Sequence, residues 1–159
     1  EAAGEDKSPI LRFGLGPLRT AAHVVSAQLE VYAVDRSVAA DMALGVVGLQ
    51  RSWSATAATW EQATATQRWT LPGANGVGAD RDAGPADRIR LNATQRWTTF
   101  DITHLVQRWQ VNRSENMGLL LEAAAGNDNA NVEYRFASAQ FPTLAQRPRL
   151  VVRYWVPPT

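Results

Sequence analysis

The chain has 159 residues, enough for one domain whose core buries roughly 70% of the unfolded surface without a disulfide or metal. Hydrophobic residues make up 45% and charged residues 19%, which excludes a disordered chain, and no apolar run approaches the ~20 residues that span a bilayer, so no membrane insertion is expected. A net charge of +1 leaves no footprint for nucleic acid, and the absence of cysteine removes any redox argument.

Glu1 opens the chain without Met or a signal-type segment, as in a processed chain or a piece of a longer one. Pro9 to Phe13 reads as a strand, after which Gly14, Gly16 and Pro17 break the chain. From Val25 to Ala33 the odd positions are apolar and most even ones polar, the signature of a strand with one buried face. Met42 to Gln50 reads as a third strand, whose phase slips at Val46-Val47 as it would at a bulge beside Gly45 or Gly48. Arg51 to Trp69, rich in Ser, Thr, Ala and Trp, reads as an extended segment across one end of a sandwich. Leu71 to Pro85, with its Gly, Pro, Asn and Asp, reads as a long surface loop.

Strand patterns resume at Arg88 to Leu91 and Trp97 to Phe100. Ile102, Leu105, Val106 and Trp109 then form one apolar helical stripe, with Asp101 placed to cap it and Asn112 to end it. Met117 to Glu122, Val132 to Ser138 and Arg149 to Trp155 read as further strands, with Gly126 to Asn129 as a turn. The expected fold is all-β: an antiparallel jelly-roll-like sandwich with one short helix at about residues 101–110, forming a single domain over residues 1–159.

No nucleophile elbow, zinc-binding His pair or phosphate loop occurs, and His23 and His104 are isolated, so catalysis is not expected. Trp rings stack on sugars, but Trp97 and Trp109 read as core, and Trp53 and Trp60 as packing at a sandwich end. Trp69, bordering the long loop, is the leading sugar-stacking candidate, with Arg68 and Arg96 as carboxylate partners; the plainer alternative makes it a lid on the core. Asp80, Asp82 and Asp87 offer oxygen ligands for Ca²⁺. Their spacing fits no recognised calcium loop, turn-forming Asp is commoner, and no resident cofactor is expected. Asn92-Ala93-Thr94 and Asn112-Arg113-Ser114 have the spacing of N-glycosylation sites.

The ordered set from Ile10-Leu11-Arg12-Phe13 through Val25 to Tyr32, Trp53-Ser54, Thr59-Trp60, Trp97 to Thr103, Leu105 to Trp109, Asn116 to Leu121, Phe136-Ala137-Ser138 and Arg147 to Tyr154 resembles the DNRLRE domain family, which is close to family ninety-six carbohydrate-binding modules. That resemblance implies a secreted or cell-surface jelly roll, some members of which bind acidic polysaccharide. Members usually begin with a further strand, whereas here Glu1 to Ser8 precede Ile10 with no alternating apolar face. The implied function is therefore a non-catalytic extracellular module binding a polysaccharide. The competing reading is a structural subunit of a surface layer, stalk or filament, self-associating through strand donation near Ile10-Phe13 and Arg149-Trp155.

Overall fold

A computed structural model describes residues 7–123 and 132–159; the expected turn at Gly126 to Asn129 lies outside them. Two antiparallel sheets face one another. The first has the order β1 (Ile10–Leu11), β6 (Leu119–Ala123), β3 (Met42–Gly48), β4 (Asp87–Leu91). The second is built on β2 (His23–Arg36), flanked on one side by β5 (Arg96–Asp101). On the other side β8 (Arg149–Trp155) and then β7 (Tyr134–Phe136) follow one another along β2. The all-β sandwich with one short helix is thus what the chain forms.

Alternation drives the packing. Ala27, Leu29, Val31 and Ala33 of β2 are all fully buried, facing Leu44, Val46, Leu119 and Leu121 of the first sheet. One end is closed by α1 (Thr103–Val111), which buries Leu105, Val106 and Trp109 together with Ile102. The N-cap position is Ile102, whose side chain makes no cap hydrogen bond; Asp101, one residue earlier, accepts through Oδ1 from the first helical N–H, Thr103 N, at 2.9 Å and from the Thr103 hydroxyl at 2.6 Å. Those bonds, hydroxyl first, hold the Asp101 carboxyl below its ordinary range. Side chains of α1 and of the turn that follows it then staple the segment leading into β2. Gln110 Nε2 donates to Arg19 O at 2.6 Å, Asn116 Nδ2 to Phe13 O at 2.7 Å, and Arg113 to the carbonyls of Leu15 and Leu18.

Four expectations are corrected. The bulge at Val46-Val47 is absent: β3 stays in continuous register with β6 from Leu44 to Gly48, and Val46, Val47 and Leu49 are all buried. The phase slip there marks a strand covered on both faces. A real irregularity lies in β2 between Val24 and Ser26, and it turns Val25 outward to 60% exposure. Second, residues 51–82 do not lie across an end or form a plain surface loop. They fold over the outer face of the first sheet, where Trp69, Ala63 and Ala74 bury Leu49 and Leu120 in a second small core. Third, Ile10–Leu11 pairs with β6, in the sheet opposite to β8, so Ile10-Phe13 and Arg149-Trp155 do not form one strand-accepting edge. Fourth, Trp97 is not core: it pairs with Tyr32 on the outer face of the second sheet.

The approach of β1 to β6 requires a glycine. Gly118 has φ +82°, and a Cβ there would lie 2.2 Å from Leu11 O.

Candidate partner-binding face

The register of β2 decides what the second sheet shows to solvent. With Ala27, Leu29, Val31 and Ala33 buried, Gln28, Glu30 and Tyr32 point outward, and direct pairing adds Asp101, Thr99 and Trp97 from β5. From β8 the same rule adds Arg149 opposite Glu30, Val151 opposite Gln28 and Arg153 opposite Ser26. These side chains form a connected array. The Tyr32 and Trp97 rings meet edge to face at 5.5 Å, and the Arg149 guanidinium sits 4.0 Å from the Trp97 centroid. Arg149 also pairs with Glu30, whose side chain is four-fifths buried. At the other end of β2, His23 and Trp155 stack with centroids 4.4 Å apart and planes 14° from parallel.

Between these anchors the surface is apolar. Val25, Val151 (40% exposed) and Trp155 (53% exposed) lie open, and the exposed Arg153 has no ion pair among the described residues. The free edge of β8 pairs with nothing among the described residues. Inside that edge a cleft of ≈ 450 Å³ runs between β8 and the stapled segment, lined by Phe13, Leu15, Leu18, Leu150, Val152 and Tyr154. Trp, Tyr and Arg around exposed aliphatics are the composition that concentrates binding energy at protein interfaces.

The residues singled out in the sequence lie elsewhere. Trp69 is 5% exposed, its ring packed in the second core and its Nε1 donating to Thr59 O at 2.9 Å. Arg68 is exposed beside it, but Arg96 begins β5 in the second sheet, so the three are not gathered into one site. Each candidate metal ligand has a structural partner. Asp82 accepts from Gln50 Nε2 at 2.7 Å and Arg108 at 3.0 Å, and Asp87 from the backbone N–H of Asp101 at 2.8 Å. Asp80 is fully buried and accepts from Arg51 Nε and from the N–H groups of Thr70, Leu71 and Gly76. Burial pushes its carboxyl up, and the hydrogen bonds from Thr70, Leu71 and Arg51 outweigh that and leave it below the ordinary range. No three His, Cys, Asp or Glu side chains gather as a metal site among the described residues.

The model of the TGF-beta propeptide family matches residues 7–144. The chain belongs to the TGF-beta propeptide family. That match overturns the resemblance to DNRLRE domains and to family ninety-six carbohydrate-binding modules, and with it the polysaccharide ligand and the surface-layer subunit. Most of the stretches that carried that resemblance are strand and helix patterns common to sandwiches, and these report architecture and not ancestry. No curated protein matches the chain. TGF-beta propeptides are secreted, non-enzymatic prodomains of growth factors, and among the described residues no helix is long and apolar enough to cross a membrane.

The residues of the outer face were missed for a physical reason: Tyr32, Trp97 and Arg149 are brought together only by strand pairing. One signal was available. Alternation from Arg149 to Trp155 puts Arg149, Val151, Arg153 and Trp155 on one face, and a face that mixes Arg with large apolar groups is not a solvated one.

Proposed function

We propose that residues 1–159 act as one secreted, non-catalytic prodomain unit that holds a growth-factor domain against the outer face of the second sheet. The observation that supports this is the array on that face: two aromatic–cation or aromatic–aromatic anchors, Trp97 with Arg149 and His23 with Trp155, with Val25 and Val151 exposed between them. A face that served only solubility would not leave Arg153, without an ion pair among the described residues, beside open Val and Trp side chains. The array is pre-organised by ring contacts and by the Glu30–Arg149 pair, so little side-chain entropy is lost on docking.

The test is a binding titration between the chain and a TGF-beta-type growth-factor domain. The wild type is expected to bind, and Trp155→Ala with Arg153→Ala is expected to weaken binding by at least about tenfold, the cost of removing interface anchors. The melting temperature should hardly move, because both side chains are exposed. Equal affinities for wild type and double variant would remove the face from the interface, and no binding by either would remove the prodomain reading.

A further inference from the structure

We propose that Asn92 is the acceptor of an N-linked glycan. The tripeptide Asn92-Ala93-Thr94 has the acceptor spacing, with no proline in the middle. It forms the turn from β4, which ends at Leu91, to β5, which begins at Arg96. A bulky hydrophilic substituent is tolerated where the side chain is exposed, makes no contact the fold depends on, and sits on backbone held by other groups. Asn92 meets all three conditions. It is exposed, and its side-chain amide makes no hydrogen bond among the described residues. Its carbonyl alone is engaged, accepting from Arg36 at 3.0 Å. The turn is fixed by Gln95 instead, which has φ +57°, donates its N–H to Ala33 O at 2.7 Å and its side-chain amide to Val34 O at 2.5 Å.

The second tripeptide makes a contrast. Asn112 is also exposed, but its side chain is spent as the cap of the turn after α1. Its Oδ1 accepts from the Ser114 hydroxyl at 2.6 Å and Ser114 N at 3.3 Å, and its Nδ2 donates to Glu115 Oε1 at 3.2 Å. Glu115 in turn lies 3.5 Å from Arg108. A sugar on Nδ2 of Asn112 crowds that arrangement, whereas one on Asn92 displaces nothing. Asn92 also adjoins β5, the strand that flanks β2 on the side away from β8, so the glycan stands at the far edge of the sheet from Trp155 and Arg153.

The inference rests on the proposed secretion of the chain, and the experiment separates the two by supplying a signal sequence. The chain is produced behind that sequence in animal cells, and both lysate and medium are treated with peptide N-glycosidase. The wild type is expected to lose the mass of a glycan, with Asn92 converted to Asp in the released peptide. Asn92→Gln and Thr94→Ala should abolish that conversion, Thr94→Ser should preserve it, and Asn112→Gln should leave it intact. An unmodified Asn92 in the wild type, whether retained in the lysate or secreted, overturns the proposal and leaves the partner-binding reading to its own titration. A glycosidase shift unchanged by Asn92→Gln overturns it equally.

Discussion

Asp80→Asn tests how the long excursion of residues 51–82 is held. The Asp80 carboxylate has no solvent exposure and receives four donors: Arg51 Nε at 2.8 Å and the backbone N–H groups of Thr70, Leu71 and Gly76 at 3.0 to 3.1 Å. The close fit depends on Gly76, where a Cβ would come within 2.5 Å of Asp80 Oδ2. An amide keeps one acceptor oxygen and turns an NH₂ group toward two donors, while Arg51 loses its counter-charge. Arg51 keeps about a third of its side chain in solvent, so the cost is that of weakening hydrogen bonds to a buried carboxylate, about 2–3 kcal/mol. In a domain of this length that lowers the melting temperature by roughly 10 °C. Because the folded carboxyl titrates below its ordinary range, its stabilisation is complete above about pH 5 and is lost as the pH falls through the folded value. Calorimetry at pH 7 and at pH 2.5 on wild type and variant reads both effects: a large gap at pH 7 and a smaller one in acid below the ordinary carboxyl range. Hydrogen exchange should show the amides of Thr70, Leu71 and Gly76 opening before those of β2. A loss under about 1 kcal/mol at pH 7 would refute the reasoning.

Trp109→Ala is expected to cost about 3–5 kcal/mol, since the ring is fully buried under α1. Trp109→Phe should cost less than about 2 kcal/mol, because Nε1 has no hydrogen-bond partner among the described residues and its removal relieves an unpaired donor; denaturant titrations of both variants check the ranking. Gly118→Ala should cost about 1–3 kcal/mol from the left-handed backbone alone, and more from the clash with Leu11 O, with β1 released from β6 in hydrogen-exchange profiles.

The legible part of the fold was that set by local periodicity. The stripe Ile102, Leu105, Val106, Trp109 could be read because a helix brings i+3 and i+4 neighbours together with no outside help. The buried face of β2 could be read from Ala27 to Ala33 for the same reason, but not at Val25, where an irregularity reverses the phase. Burial on both faces defeated the reading of β3, because the excursion that covers its outer side comes from residues 51–82 and leaves no period in β3 itself. The candidate face is a product of register among β5, β2 and β8, which no single segment encodes. Trp69 misled because its position beside a Gly- and Asp-rich stretch signals exposure, whereas Asp80 within that stretch is the buried anchor that folds it back over the ring.

The free edge of β8 raises the question of why the chain should hold a separate partner and not its own copies. An unpaired strand edge is a template for any extended chain unless guarded. Here Pro148 precedes the strand, Pro157 and Pro158 follow it, and Arg149 and Arg153 stand on its outward side. Proline supplies no N–H, and a copy docking edge to edge in antiparallel register would set Arg against Arg, which is destabilising. These guards act against self-pairing while leaving the outward Val151 and Trp155 accessible to a partner that approaches the face. The isolated chain is therefore expected to sediment as a monomer, and Arg149→Thr with Arg153→Thr should promote association by removing the guarding charges. Reversible association of the wild type at micromolar concentration, unaltered by those substitutions, would show that the edge is not guarded in this way.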